Sequence, residues 1–547
     1  MDVWTHVWCP DTLNGGTNFS RVASLNDLPV DPIGDGEHNC YMEAFDTSVF
    51  STDGQLVRGC ANLDLDKFPE HDCIEIHNGA EFKSVLQNAG ISQNTGKIVA
   101  IVVNDIVMGS SPYIAGHQED VWLIGVYDPV TKRPVLITQE EGQSGTLLSW
   151  SPHTPTWNLT AINLRMHVNG MCFSTGMKKT TGTVTLQSIT GKCRGRLMIA
   201  SFENPTEWNT RPDPISSIED LTPWDSDDRI YMRNVMARAR NSHSVYLDRT
   251  YLNWVEDSII MASFTGGKHA AKFEGQNVYA RNSIFTNTGI HNQPIVDPEY
   301  GDTPRHGNLA PLSLAAFSRV VLDHLTLYSH YDPGESNGRS IQWQIRDSIG
   351  AASDMPWAYY PNMYPADPYH GPAYYLGQYY QHTPFWDDNF WAGINEHDPM
   401  YDPGMVTSYI TSIHLHQTAK EGFNINYLYA MGSVGTYPTT RNDQGSASNF
   451  FAPSEVPAGW KERQRVIVNN NCLDDGLPAT NIYQIYIVNG MADPADPTWQ
   501  THKYDNTNKF ITIGSNKCED VGTVDPDVNA ARDAFIGTLP SPPWLDW

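Results

Sequence analysis

Val278-Tyr279-Ala280-Arg281-Asn282-Ser283-Ile284 runs apolar, variable, apolar, polar, polar, variable, apolar. In an extended chain Val278 and Ala280 share one side, and the pair Arg281-Asn282 breaks the alternation before Ile284 resumes it. The same order recurs in Ile230–Met236, Val245–Tyr251, Val320–Thr326, Trp343–Ile349, Val466–Cys472 and Ile485–Met491. Alternating apolar residues fill a narrow core, and a polar pair suits a tight corner where the chain changes sheet. Asn tolerates left-handed backbone angles at such a corner and can bond to the next layer. The spacing between segments is irregular, which predicts stacked coils with loops of varied length on one flank rather than a strict repeat. A β-sandwich also offers many short strands, but it needs no leading cap helix.

Such a helix is legible upstream. Asn78-Gly79-Ala80-Glu81 has the form of a helix cap with Glu three positions after Asn. Phe82, Val85, Leu86 and Ala89 follow at helical spacing, and Gly90 is a natural stop. The apolar run Ile98–Val103 then predicts a fully buried strand. Residues 1–73, rich in Asn, Asp, Gly and Pro, predict an irregular segment packed on the body. Stacked coils are expected over 74–515, with an inserted loop at 354–403 and a tail at 516–547.

The chain has 547 residues, 40% hydrophobic and 18% charged. No run of about 18 apolar residues is present to span a bilayer, so membrane insertion is not expected. Lys+Arg 35 against Asp+Glu 62 gives −27, which argues against a general phosphate-binding surface and hence against nucleic acid as a partner. The acidic excess suits solubility in extracellular or salty surroundings. Met1–His6 carry no basic start and no apolar stretch. They predict either a mature end or release without the usual secretion route, as for virion proteins.

Cys9, Cys40, Cys60, Cys73, Cys172, Cys193, Cys472 and Cys518 include no CxxC pair, which disfavours zinc knuckles. The first four permit disulfides near the N-terminus. Cys172 and Cys193 lie about one coil apart and could stack on adjacent coils. Buried reduced thiols are the competing expectation.

The cap helix Ala80–Ala89 with Lys97–Val103, together with Gly267–Asn287, resembles the right-handed parallel β-helix proteins of the pectin-lyase-like superfamily. The resemblance covers roughly residues 75–515 and carries no complete catalytic signature of any one family. It implies an all-β right-handed parallel β-helix with an N-terminal cap helix and long inserted loops. Members are mostly polysaccharide lyases and hydrolases, with phage tailspikes and some adhesins.

A β-helix is packed inside, so a ligand must bind in an outer groove beside the long loops. The loop at 354–403 concentrates rings, among them Trp357, Tyr360, Tyr375, Tyr380, Trp386 and Trp391, with Asp387 and Asp388 beside them. Arg305 and His306 lie in a second insertion, 286–311. These residues suit sugar stacking and hydroxyl recognition; a mini-core or a subunit interface would use the same rings. A lyase needs a base and a cation that neutralises a uronate carboxylate. Lys268, His269 and Lys272 form the best local basic cluster, with Arg281 and His324 as neighbours on adjacent coils. On a straight strand Lys268 and Lys272 face one way and His269 the other, so acting together requires a bend.

A hydrolase instead needs two carboxyl groups. Glu256 and Asp257, as sequence neighbours, are expected to point apart, and a pair such as Asp248 with Asp323 fits better. Asp225-Ser226-Asp227-Asp228 resembles half a calcium loop but lacks the Gly and closing Glu, so a solvated acidic turn is the favoured reading and no cofactor is expected, with Ca²⁺ as the alternative. The resulting expectation is an extracellular or virion-surface enzyme that binds and depolymerises a polysaccharide, by β-elimination on a uronate polymer ahead of glycoside hydrolysis. The alternative is a non-catalytic glycan-binding tailspike or adhesin, with a homotrimer as its assembly.

Overall fold

The computed structural model describes residues 3–11, 18–34, 39–88, 96–109, 113–116, 119–152, 156–177, 181–202, 228–240, 242–262, 269–287, 289–290 and 311–329. It also describes the backbone of the strands between 341 and 513, and residues 526–547. The chain is predominantly β. Among the described residues the α-helices are α1, Gly79–Asn88, and α2, Pro526–Ile536.

α1 forms where its cap demands it. Asn78 Oδ1 accepts from the N–H groups of Ala80 (3.1 Å) and Glu81 (3.0 Å), and Glu81 Oε2 reaches back to the N–H of His77 at 2.7 Å. Three otherwise orphaned donors are thereby satisfied. Phe82 and Leu86 bury its apolar face.

Among the described residues, strands bond in one connected sheet of 26, and its pairings are parallel. They sort into three ladders. The first joins Leu148–Pro152, Phe173–Met177, Met198–Phe202 and the starts of Val245–Glu256, Ala271–Arg281 and Leu312–Asp323. The second joins Lys97–Val102, Asp120–Gly125, the first half of Thr156–Val168 and of Thr181–Cys193, and the first half of Arg229–Ala239. It then takes up the later halves of Val245–Glu256, Ala271–Arg281 and Leu312–Asp323. The third joins the ends of Thr156–Val168, Thr181–Cys193 and Arg229–Ala239 to Ile259–Ala262, Ile284–Thr286 and Thr326–Ser329. Each segment with the recurring apolar–polar order begins inside one of these strands or one further along, such as Ile341–Arg346, Gln464–Asn469 and Tyr483–Val488.

Between the second and third ladders the chain turns through left-handed residues: Asn163, Ser188, Asn234, Asp257, Asn282 and His324, with φ from 45° to 55°. The flanking pairs, such as Arg281↔Asp323 and Ile284↔Thr326, put these six in one row. Asn and Asp tolerate this conformation through local hydrogen bonding, which explains the polar pair. Side chains inside the turn, including Met232, Val255, Ala280, Leu322, Ala237, Ile260, Phe285 and Leu327, are buried and form the core.

The outward sides of two ladders are not free, contrary to the expectation of an open flank. On the third ladder the N-terminal segment packs Val3, Val7 and Met42 against Met236, Ile259, Met261 and Tyr328, and Asp31 pairs with Arg238 at 2.6 Å. That segment is not wholly irregular: Val7–Pro10, Phe19–Arg21 and Tyr41–Met42 make a small antiparallel sheet. On the second ladder Leu539 and Trp544 pack over Tyr231, Trp254 and Tyr279. These rings stand on adjacent strands in one row, so a single chain segment can cover them together. Disulfides join Cys9 to Cys40, Cys60 to Cys73 and Cys172 to Cys193. The last crosses neighbouring strand connections, as stacked cysteines would.

Candidate functional site

On the first ladder Val245 and Ala271 point inward and are buried, so Tyr246 and Lys272, one residue on, face outward. The register sets Tyr246 directly beside Lys272 on one side and Ile199 on the other. The Lys272 ammonium lies 4.8 Å from the Tyr246 ring centre, and the Arg196 guanidinium lies 5.1 Å from it. Arg196 is oriented by its Nε–H, which donates to Ser242 Oγ at 2.7 Å. Partial burial pulls its pKa below the ordinary arginine value. A guanidinium that has lost part of its hydration gains more from an incoming anion than a fully solvated one.

His243 and His269 stack beside this group, ring centres 5.3 Å apart and planes 11° from parallel. The backbone N–H of His269 donates to His243 Nδ1 at 3.1 Å, so that nitrogen carries no proton. The His243 ring lies 5.9 Å from Tyr246, which joins the imidazole pair to the two cations.

His269 and Lys272 therefore belong to one cluster, as a basic site requires. The bend this needs is present. Ala270 and Ala271 are both fully buried, so strict alternation starts only at Ala271 and His269 is released from the strand's parity. Lys268 lies outside the described residues, as do Arg305, His306, Trp357, Tyr360, Tyr375, Tyr380, Trp386, Asp387, Asp388 and Trp391. Arg196, His243 and Tyr246 escape a reading of local pattern. Laying Val245-Tyr246-Leu247 over Ala271-Lys272-Phe273 is the signal that finds Tyr246.

Arg281 and His324 do not join Lys272. They sit at the opposite end of the strand Ala271–Arg281, at the left-handed corner, around the buried carboxylate of Asp323. Asp323 lies 3.3 Å from Arg281 Nε, 2.8 Å from His324 Nδ1 and 2.7 Å from Arg532 Nη1 of α2. This removes Asp323 as a partner for Asp248, whose register neighbour on the next strand is Glu274. Glu256 and Asp257 do not point apart either. Because Asp257 adopts φ 49°, both carboxylates approach Arg233 Nε, at 3.5 and 3.6 Å. Burial, then the Asp257 charge, raises the Glu256 carboxyl above the ordinary glutamate range.

No family model, curated protein or solved structure matches the chain.

Of the calcium-like stretch, Asp228 is described: it is fully buried and accepts a hydrogen bond from the Gly182 N–H, a structural role. Among the described residues, no group of three or more His, Cys, Asp or Glu side chains is arranged to hold a metal ion. Nor is any helix among them long and apolar enough to cross a membrane.

Proposed function

We propose that the three ladders are the faces of a right-handed parallel β-helix, and that the chain is a carbohydrate-active protein that binds and depolymerises an extracellular polysaccharide on the first of them. The chain passes through the ladders in turn, from Leu148–Pro152 through Thr156–Val168 to Phe173–Met177, where the first ladder resumes. Parallel crossovers of this kind are almost always right-handed. Three disulfides support an oxidising compartment, in keeping with an extracellular or virion-surface location.

One observation carries the functional reading: in a chain of net charge −27, two cations bracket the outward-facing Tyr246 beside two stacked imidazoles, of which His269 is buried. An anionic polymer would be repelled by most of this surface and attracted here. The arrangement suits β-elimination. Arg196 and Lys272 would neutralise a uronate carboxylate, making the C5 proton acidic, and His269 would accept that proton, because Nδ1 of His243 is already taken by the His269 N–H. The C4–O bond then breaks, the C4–C5 double bond forms, and the leaving oxygen takes up a proton.

Incubation with a panel of acidic and neutral polysaccharides tests this. An unsaturated product absorbing in the ultraviolet is expected from a uronate polymer, and its loss in Lys272→Ala. No cleavage of any polymer would leave the glycan-binding tailspike or adhesin, with a trimer as its natural assembly. One observation favours a second reading, glycoside hydrolysis: Asp248 and Glu274 occupy directly paired positions on adjacent strands, two residues beyond Tyr246 and Lys272. New reducing ends without ultraviolet absorbance would select it.

A further inference from the structure

The segment that covers the second ladder beyond α2 reads Leu539-Pro540-Ser541-Pro542-Pro543-Trp544. Pro542 holds φ −66° and ψ 142°, the polyproline II conformation. Residues three apart share a face in that conformation, and Leu539 and Pro542 are both buried while Ser541 between them is exposed. The prolines carry no N–H to satisfy. The N–H groups of Thr538, Leu539, Leu545 and Asp546 are bonded to the carbonyls of Phe535, Ile536, Pro542 and Pro543, within the segment and the end of α2. The segment therefore asks little hydrogen bonding of the surface beneath it.

That surface offers rings. Tyr231, Trp254 and Tyr279 follow one another in register on three adjacent strands, with ring centres 6.3 and 4.1 Å apart along the row. The Tyr231 hydroxyl donates to the Pro540 carbonyl at 3.1 Å, and its ring meets Trp544 edge to face, centres 6.0 Å apart. The Arg233 guanidinium lies 5.9 Å from the Trp544 ring centre. Aromatic-lined grooves are where proline-rich segments dock, because a chain already extended loses little entropy on binding. The Tyr231 hydroxyl adds a fixed donor for one prolyl carbonyl.

We propose that Tyr231, Trp254 and Tyr279 form a groove for proline-rich peptide segments that carry a Trp anchor, with Leu539–Trp544 as its resident ligand. A partner protein presenting such a segment binds by displacing the resident one. The groove lies on the second ladder and is independent of the polysaccharide reading of the first.

Fluorescence anisotropy with the full chain and a labelled synthetic peptide of the sequence Gly537–Trp547 provides the test. Trp547 packs against Phe45, Phe50 and Trp122, so Trp544→Ala combined with Trp547→Ala in the protein loosens both ring anchors of the resident segment. The groove rings and the Arg532–Asp323 contact stay in place. This variant is expected to bind the peptide at one site. The parent should bind it at least about tenfold more weakly, because its tethered segment competes at a millimolar effective concentration. Adding Tyr231→Phe to the variant removes the donor to the prolyl carbonyl and should weaken binding about three- to tenfold. Should the double variant fail to fold, by circular dichroism, Pro542→Asp loosens the segment with both tryptophans kept. Absence of binding to a folded release variant would overturn the groove and leave the segment as core packing. Equal binding by the parent, or binding unchanged by Tyr231→Phe, would put the peptide elsewhere and overturn it too.

Discussion

Arg532 Nη1 donates to Asp323 Oδ1 at 2.7 Å across a sequence separation of 209 residues, with 5% and 1% of the two side chains exposed. This contact fastens α2 to the corner between the second and third ladders, and from there Leu539 and Trp544 run on over Tyr231, Trp254 and Tyr279. The two partners are not equivalent. Arg532 also lies 3.1 Å from the exposed Asp533, whereas Asp323 is approached by Arg281, His324 and Arg532 together.

Removing the acid should therefore cost more than removing the base. Asp323→Ala leaves a buried guanidinium without its main counter-charge and is expected to destabilise the fold by about 3–5 kcal/mol. Arg532→Met leaves Asp323 with Arg281 and His324, so about 1–3 kcal/mol is expected. Denaturant midpoints of the two variants check the order, and an equal loss would show that Arg281 and His324 contribute nothing to holding Asp323.

The row of left-handed corners makes a second prediction. Asn234 adopts φ 50° with Val235 and Met236 buried immediately after it. Glycine adopts this conformation without strain, whereas a β-branched residue is forced into an unfavourable region. Asn234→Gly is expected to stay within about 1 kcal/mol of the parent, and Asn234→Val to lose about 2–3 kcal/mol. Thermal unfolding of the pair measures the difference. Equal midpoints would mean that the corner relaxes and that its polar residues are not selected by backbone angle.

Much of the framework was legible because its causes are local. Alternation with a polar break marks both a strand and its corner within seven residues, as in Val278–Ile284, and the cap of α1 is a contact between Asn78 and Glu81. His269 and Lys272 stood out because basic residues are scarce in this chain. What was missed depends on register or on distant chain. Tyr246 becomes a neighbour of Lys272 only once the intervening loop length is known, since one residue of slip would turn either side chain to the other face. Glu256 and Asp257 were expected to diverge because alternation holds only in extended backbone, and the left-handed angle of Asp257 cancels it. Nothing near Asp323 foretells Arg532, and no local pattern announces that the two terminal segments cover two of the three ladders.

Glu256 supplies a pH dependence whose sign follows from its surroundings. Its side chain is largely withdrawn from water, and burial, followed by the Asp257 charge, raises its carboxyl above the unfolded value despite Arg233 at 3.5 Å. A carboxyl raised by folding binds its proton more tightly in the native state than in the unfolded one. Its contribution is therefore fully present below the unfolded pKa and is lost as pH rises through the higher native one. Glu256→Gln keeps a neutral side chain that can still accept from Trp254 Nε1, which lies 3.2 Å from Glu256 Oε2. The variant should match the parent in acid and become relatively more stable as pH rises toward neutrality. Denaturation midpoints of both proteins across that range give the comparison. A gap that is constant with pH would mean that Arg233 offsets burial, and a parent that gains on the variant as pH rises would mean that Arg233 outweighs it.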